Sequence, residues 1–387
     1  MILDVSRLLA CAWRGQPSGM DRVELAYARH ALARPDTVFV GQSVLGRFAC
    51  LPRSLVARIL AGLEHGRPRT LVLAAWVWLG LGLGAGALRR AASRPGAVFH
   101  IVSHRALDDV AAIRRVTRHG ARFVPAVIDL IPLLYPEYTR PAQTPRHAAR
   151  MLGVAATAAG IIFSAASVRD EMQAWLEEHG AGMPPALVAP LGLDLSARAE
   201  ASRIAEPPYF LCVATIEPRK NHMLLLQLWR EIRERLGDAA PRLIMVGRSG
   251  WENEAMLRFL ERHPELAEWR GHCSDAELAR LLAGARALLF PTFAEGFGIP
   301  LAEALAAGVP VLAADLPVLR ELGGDAPDYL HPLDGPGWRD AVLDYARPDS
   351  PRRAAQLARI AAWHAPDWAA HFTLVERFIG GLADTPR

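Results

Sequence analysis

The sequence predicts an α/β protein made of two successive Rossmann-like domains. Three observations predict this class. The chain has 387 residues, enough for two ordinary domains. In its first half, short apolar runs alternate with helical stretches, and the same alternation restarts after the polar stretch Asp194–Pro208, which we interpret as an interdomain linker. Buried apolar strands that alternate with helices are typical of parallel sheets.

The first domain, residues 1–195, contains six apolar runs that predict strands and four helical patterns between them. The predicted strands are Ile2–Val5, Thr37–Gly41, Val98–Val102, Arg122–Ile128, Gly160–Phe163 and Ala186–Ala189. The predicted helices are Asp21–Leu32, Leu107–Arg118, Pro145–Ala158 and Ser167–His179. The residues after the first strand are expected to form a loop.

Eighteen apolar residues, Leu71–Leu88, lie between Arg67/Arg69 and Arg89/Arg90. Their length only just reaches that of a membrane span, and their glycines weaken a helix. Basic flanks and two tryptophans favour a segment that lies in a membrane interface. A full span and a buried core helix remain as alternatives.

The second domain, residues 208–365, repeats the pattern with four strands and four helices. The predicted strands are Tyr209–Thr215, Arg242–Gly247, Ala287–Pro291 and Val309–Ala313. The predicted helices are His222–Leu236, Glu252–Leu260, Asp275–Leu282 and Pro300–Ala307. A last helix, Asp367–Leu382 within 366–387, is expected to pack back toward the first domain.

The composition is that of a soluble globular protein, with 51% hydrophobic and 22% charged residues. The four cysteines are far apart, which predicts neither a disulfide framework nor a zinc site and fits a reducing cytoplasm. The N-terminus lacks a signal-peptide pattern.

Up to Leu195 there are 22 arginines and no lysine against 14 acidic residues. This basic half suits an anionic lipid surface or a phosphate-bearing acceptor, or it is only a solvated face.

Lys220 is the only lysine among 44 basic Lys and Arg residues. A bias that replaces lysine by arginine elsewhere suggests that a compact ammonium is required at this position. Chance survival of one codon is the alternative.

The segment Pro291–Asp315 holds the strongest motif. Glu295-Gly296-Phe297-Gly298 follows a predicted strand, and a helix begins near Pro300. Glycines allow a ligand close to the backbone, and a helix N-terminus offers free N–H groups. Glu303 is placed in the first helical turn. Two carboxylates suit hydroxyls rather than phosphate, which predicts contacts of Glu295 with a sugar and of Glu303 with a ribose.

The seven residues between Glu295 and Glu303, in the context EGFGIPLAEALAAGVPV, resemble the EX7E motif of retaining glycosyltransferases of the GT-B fold, family GT4. The resemblance covers the C-terminal half well and the N-terminal half in scattered motifs. It implies two Rossmann-like domains that face each other across a cleft, with the nucleotide-sugar donor bound mainly by the second domain and the acceptor mainly by the first.

The stretch Phe210–His222, FLCVATIEPRKNH, resembles the donor-phosphate motif GTxEPRKN of the same family. Arg219 and Lys220 precede a helix and can neutralise a leaving diphosphate. With Glu295, they are the predicted catalytic residues. Ala214 replaces the usual glycine, which implies a less close approach of the donor there.

Looser matches complete the predicted donor site. VGRSGW resembles a turn after the second strand of the second domain, and PSGMDRVE resembles the N-terminal glycine loop. The predicted donor-binding residues are Gly19, Thr215, Gly247, Arg248, Gly296, Phe297, Gly298, Ile299 and Glu303.

One position departs from the family pattern. Relatives often read HDLIPL where this chain reads Ile128-Asp129-Leu130 and so on, so the usual histidine is Ile128. We expect Asp129 or His104 to compensate on the acceptor side. A turn-forming aspartate and a structural histidine are the alternatives.

The resemblance implies transfer of a hexose, mannose or similar, from a GDP- or UDP-sugar to a saccharide or lipid-linked acceptor in cell-surface polysaccharide synthesis. No DxD motif appears, so neither a metal nor another cofactor is expected. The expected location is the cytoplasm or the inner face of the plasma membrane, with no nucleic-acid partner. The alternatives are a catalytically inactive homologue that binds sugars or scaffolds an assembly and, ranked low, an epimerase or phosphorylase of the same fold.

Overall fold

A computed structural model describes residues 1–14, 17–65, 68–194 and 208–384. The chain forms two compact units. Unit 1 comprises Met1–Leu191 and Trp368–Arg387, and unit 2 comprises Gly192–Asp367. Most of the predicted linker, Asp194–Pro208, lies outside the described residues.

Unit 1 is built on a sheet of seven described strands. They are β1 (Ile2–Asp4), β2 (Val38–Gln42), β3 (Phe48–Leu51), β4 (Val98–Ile101), β5 (Arg122–Val127), β6 (Ile161–Phe163) and β7 (Ala186–Val188). Their order is β3-β2-β1-β4-β5-β6-β7, and all neighbours are parallel except β2 and β3. The antiparallel edge strand β3 was not predicted. After β1, the chain adds β2 and β3 on one side of this strand and β4 to β7 on the other, so the strand order reverses between β1 and β4.

Nine helices precede the linker in the described part of unit 1. They are α1 (Ser6–Arg14), α2 (Gly19–Leu32), α3 (Arg53–His65), α4 (Arg69–Gly80), α5 (Ala85–Ala92), α6 (Val110–Thr117), α7 (Ile131–Leu134), α8 (Gln143–Thr157) and α9 (Ala166–Glu178), with a 3-10 turn at Pro136–Tyr138. The loop predicted after the first strand was wrong. The Ser6 N–H and hydroxyl donate to Asp4 at 3.1 and 2.5 Å, and α1 buries Leu8 and Leu9.

The apolar segment Leu71–Leu88 forms most of α4 and α5, which meet at an angle of 77°. Within the described ranges, no single helix has the length and apolarity to cross a membrane, and only this bent pair passes such a test when its two helices are taken together. One face of α4 is buried through Val72 and Leu79, whereas Leu73 and Val77 are 52% and 53% exposed.

Unit 2 is built on a sheet of six described strands. They are β8 (Tyr209–Val213), β9 (Arg242–Val246), β10 (Glu268–Trp269), β11 (Ala287–Phe290), β12 (Val311–Ala314) and β13 (Asp328–Leu330). Their order is β10-β9-β8-β11-β12-β13, and every pair is parallel. After β8, the chain adds β9 and β10 on one side of this strand and β11 to β13 on the other, so the strand order reverses between β8 and β11. Ligands of open α/β sheets bind at the carboxyl ends of strands at such a point.

Seven helices accompany this sheet in the described part of unit 2. They are α10 (His222–Leu236), α11 (Glu254–Arg262), α12 (Asp275–Gly284), α13 (Ile299–Ala306), α14 (Pro317–Gly323), α15 (Gly335–Ala346) and α16 (Pro351–Ala361), with 3-10 turns at Pro218–Lys220 and Gly237–Ala239. Trp229, Trp338 and Tyr345 are the largest fully buried side chains of the core.

The last helix, α17 (Trp368–Asp384), belongs to unit 1. The buried Tyr27 hydroxyl lies 2.8 Å from His371 Nε2, and His371 Nδ1 lies 3.0 Å from the Pro190 carbonyl oxygen. A side chain at Gly160 would place its Cβ 2.7 Å from the Phe378 ring. α17 is therefore part of the core of unit 1 and not an appendage of unit 2.

Candidate active site

A buried ion pair lies at the carboxyl edge of the unit 2 sheet. The Lys220 ammonium, in the loop after β8, donates to Glu295 Oε1, in the loop after β11. The two side chains are only 11% and 10% exposed. The ammonium also lies 5.4 Å from the centre of the Phe290 ring, which favours a cation. The only lysine of the chain is thus held between the neighbouring strands β8 and β11, where the strand order of the sheet reverses.

Arg219 joins the two loops that carry this pair. Its guanidinium donates to the Ala294 carbonyl at 2.5 Å and to Glu217 Oε1 at 2.6 Å, and it lies 3.4 Å from Glu295 Oε2. The Phe293 N–H donates to the Arg219 carbonyl at 2.8 Å. Because these contacts cross between segments about 75 positions apart, Arg219 fixes the position of Glu295 relative to Lys220.

Asn221 fixes the turn from the other side. Its backbone is left-handed, with φ 55° and ψ 34°, a conformation that asparagine tolerates better than most residues. Its side-chain amide donates to the carbonyls of Pro291 at 3.1 Å and Pro332 at 2.9 Å. The Lys220 turn is therefore hydrogen-bonded to the segment after β11 and to the segment after β13.

Burial and the partner's charge shift the pKa of each member of the pair in opposite directions. Burial lowers the pKa of the Lys220 ammonium, and Glu295 acts against this effect. Burial acts to raise the pKa of Glu295, but Lys220 and Arg219 outweigh it, so the pKa of this carboxyl lies below its ordinary value. Glu295 is therefore ionised at neutral pH.

The glycines after β9 pack against the loop after β8. A Cβ at Gly247 would lie 1.7 Å from the Ala214 carbonyl oxygen, and one at Gly250 would lie 2.7 Å from that of Ile216. Gly247 was predicted to bind the donor. The structure gives both glycines a sufficient reason, the close approach of two loops, so their presence alone does not mark a ligand. Thr215 and Arg248 lie on these two loops and are partly exposed.

The Glu295–Glu303 motif is arranged almost as predicted. Gly296 and Phe297 are buried, and Gly298 precedes α13 with a φ of 100°, which favours glycine. One expectation was wrong. α13 begins at Ile299, and its first turn contains no acidic residue, so Glu303 lies in the second turn. It follows the N-terminal N–H groups by one turn rather than lying among them.

Unit 1 holds the remaining predicted residues. Gly19 is the exposed first residue of α2, after Ser18, whose hydroxyl and N–H form a capping box with Asp21. His104 follows β4 and Asp129 follows β5, and the structure brings both together. His104 Nε2 accepts a hydrogen bond of 3.4 Å from the N–H of Ile128, the residue that replaces the usual histidine.

Two groups of polar residues in unit 1 were not predicted. The first is the buried pair Asp4 and Glu24 near the carboxyl ends of β1 and β4. Burial raises the pKa of Asp4 to about 6 and that of Glu24 to about 8. The second is His147 of α8, whose ring centre lies 4.8 Å from that of His104. Glu24 ends the PSGMDRVE stretch, but its pairing with Asp4 of β1 depends on how α2 packs, and the approach of His147 to His104 depends on how α8 packs.

Comparison with known proteins gives matches to both the sequence and the fold. Residues 196–328 match the model of the family Glycosyl transferases group 1. The chain is 31% identical over 245 residues to the serotype-specific mannosyltransferase WbdA of Escherichia coli, a match that covers 57% of this chain and 29% of that protein. It is 34% identical over 161 residues to the O-antigen chain mannosyltransferase B of E. coli, with 41% and 42% covered. The chain thus spans less than half the length of these curated relatives.

Among solved structures, that of HepE from Anabaena in complex with UDP-glucose matches with a TM-score of 0.68 at 15% identity. The match covers 98% of this chain and 99% of that one. This likeness extends over both units and confirms the predicted two-domain GT-B fold.

Proposed function

We propose, from the match of residues 196–328 to the Glycosyl transferases group 1 family, that this chain transfers a hexose from a nucleotide sugar to a saccharide acceptor in polysaccharide synthesis. The mannosyltransferase names of its relatives favour mannose, and hence GDP-mannose, as the donor. The UDP-glucose bound to HepE makes UDP-sugars the second candidate. Retention of the anomeric configuration belongs to the proposal through the family resemblance.

The observation that carries the proposal is the Lys220–Glu295 pair at the reversal point of the unit 2 sheet. A diphosphate that enters there offers Lys220 a stronger anionic partner than one carboxylate. When the Lys220 ammonium pairs with the phosphate instead of Glu295, this carboxylate can accept hydrogen bonds from sugar hydroxyls. Arg219 keeps Glu295 in place meanwhile, because its contacts with Glu217 and Ala294 do not involve Lys220.

In this scheme the ammonium of Lys220 stabilises the charge that develops on the departing nucleoside diphosphate. A fixed cation in a partly buried site is effective because little reorganisation is needed during the reaction. Glu303 and the backbone of Gly296–Ile299 are proposed to contact the ribose and phosphates. His104 and Asp129 of unit 1 are proposed for the acceptor side.

We further propose that unit 1 contacts an anionic membrane surface, which would present a lipid-linked acceptor. Leu73, Val77 and Leu81 of the α4 region are 52%, 53% and 70% exposed. The rings of Trp13 and Trp76 lie 5.0 Å apart beside them, and Arg69 lies 5.5 Å from the Trp13 ring. Exposed apolar and aromatic side chains with adjacent arginines suit an interfacial position. Flotation with anionic but not neutral vesicles, lost in Val77→Glu, tests this part.

The test of transfer is release of nucleoside diphosphate from GDP-mannose and from UDP-glucose, with and without a mannose-terminated oligosaccharide, followed by analysis of the product's anomeric linkage. We expect acceptor-dependent release from one donor. Lys220→Ala should lower turnover by about 10²–10³-fold, the loss typical of removing one charge-stabilising group. Arg262→Ala, which removes an exposed cation of unit 2, is the matched control and should leave turnover unchanged.

Near-normal transfer by Lys220→Ala would contradict the assigned role of Lys220. Donor binding without any diphosphate release would instead favour the inactive, sugar-binding alternative. Both outcomes are read from the same preparations, because a thermal shift with GDP or UDP reports binding independently of turnover.

A further inference from the structure

His104, Asp129 and His147 lie together at the carboxyl edge of the unit 1 sheet. One potential ligand atom from each residue lies within 4.8 Å of those of the other two. His104 follows β4, Asp129 follows β5 and His147 projects from α8. The three residues therefore come from separate elements, and the fold alone brings them together.

The His147 side chain carries the clearest sign of a missing partner. Residue 147 is 1% exposed, and its Nε2 makes no hydrogen bond among the described residues. The Asp129 backbone also lies close enough to the ring to act against the lowering of the His147 pKa by burial. Histidines that bind metals commonly donate one ring N–H to a carbonyl and direct the other nitrogen at the ion.

The other two residues can turn to an ion at little cost, because the one lone pair of His104 Nε2 is held only by a long hydrogen bond and Asp129 has further carboxylate lone pairs. The hydrogen bond that His104 accepts from Ile128 is long, at 3.4 Å, and Asp129 Oδ1 accepts one from the Ile131 N–H at 3.2 Å. Two imidazoles and one carboxylate suit borderline divalent metals such as Zn²⁺.

The charges around the cluster are mixed. Burial and the nearby charge of Asp129 raise the pKa of Glu171 to about 7, which indicates a second carboxyl close to the cluster. Arg150 is a cation that acts on both His104 and His147. It lies 3.5 Å from Asp108, which partly neutralises it. Arg7, which also acts on His104, is paired with Asp21 at 2.8 Å.

We propose that His104, Asp129 and His147 form a divalent-metal site of the zinc class in unit 1. Three protein ligands leave at least one coordination position for water or for a hydroxyl of a bound saccharide. The proposed ligands belong to unit 1, whereas the Lys220–Glu295 pair belongs to unit 2, and the proposal does not depend on the donor chemistry, for which no metal was expected.

The proposal is tested by metal binding and not by activity. Full-length protein without a histidine tag is treated with a chelator, dialysed and titrated with Zn²⁺ by calorimetry. A parallel titration with Co²⁺ is followed by visible absorption, which reports the geometry of the bound ion. We expect one equivalent of Zn²⁺ and Co²⁺ bands typical of four or five ligands that include nitrogen.

Asp129→Asn and His147→Ala should each weaken Zn²⁺ binding by more than about a hundredfold, since loss of even an outer partner costs about 10–100-fold. His364→Ala, at an exposed histidine of unit 2, is the matched control and should bind normally. Circular dichroism confirms folding, and the near-isosteric Asp129→Asn serves if His147→Ala does not fold. No binding by the wild type at millimolar Zn²⁺, or binding unchanged in Asp129→Asn, would overturn the proposal.

Discussion

Removal of either charge of the Lys220–Glu295 pair should destabilise unit 2, whereas removal of both should not. Removing one partner from a buried ion pair costs about 3–5 kcal/mol, because the other charge is left without compensation. The two side chains are 11% and 10% exposed, so most of this cost applies. In Lys220→Met the guanidinium of Arg219, 3.4 Å from Glu295, offsets part of it. We therefore expect a loss of about 2–4 kcal/mol in the free energy of unfolding.

In Glu295→Gln the ammonium of Lys220 is left beside Arg219, so the loss should be at least as large. The double variant Lys220→Met/Glu295→Gln removes both charges and should lie within about 1–2 kcal/mol of the wild type, since a neutral replacement of a buried pair is often tolerated. The coupling energy of the cycle is then about 2 kcal/mol or more.

The assay is differential scanning calorimetry of the ligand-free protein, which resolves separate transitions if the two units unfold independently. For a domain of this size, 1 kcal/mol corresponds to about 2–4 °C in Tm, so each single variant should lower one transition by about 4–16 °C. Arg262→Met is the surface control. Single variants within about 1 °C of the wild type, or a double variant whose loss equals the sum of the singles, would refute the reasoning.

Three further predictions concern other parts of the fold. Asn221→Ala should lower the free energy of unfolding by about 2–3 kcal/mol, because it strains the left-handed backbone and removes two hydrogen bonds. Asn221→Gly should lower it by only about 1–2 kcal/mol, because glycine tolerates this backbone, and urea denaturation compares the two variants. Gly247→Ala should lower the free energy of unfolding by about 3 kcal/mol or more, because its Cβ would overlap the Ala214 carbonyl. Gly380→Ala, in open space on α17, should cost nothing and can stabilise by up to about 1 kcal/mol in the same assay. The raised pKa of Glu24 means that its stabilising contribution is complete below about pH 4.5 and is lost as pH rises through about 8. Thermal denaturation from pH 5 to 9 should therefore show a fall in stability that Glu24→Gln reduces, and an equal fall in that variant would contradict the assignment.

Most of the fold was predictable because its strands are short apolar runs bounded by helices. All ten predicted strands occur with small shifts at their ends. β3 was missed because a four-residue run after a hairpin gives no periodic signal. β10 and β13 were missed because they have only two and three residues. α1 was missed because it begins two residues after β1, with no intervening polar stretch to mark its start.

The donor-side motifs were predictable as segments but not as a network. Lys220 was predicted to contact phosphate and Glu295 a sugar, whereas in the structure they form an ion pair with each other. Their positions differ by 75, and only the order of strands shows that β8 and β11 are neighbours. His147 had no signal at all, because a lone histidine on a helix can point anywhere until the packing of α8 is known.

The position of α17 also affects how the protein is made. Its first residues complete the core of unit 1 through Tyr27 and His371, yet the ribosome synthesises them after the whole of unit 2. Unit 2 is contiguous in sequence and can therefore fold while translation continues. Unit 1, although it begins to emerge first, can acquire its final structure only after the ribosome has released the segment around Trp368.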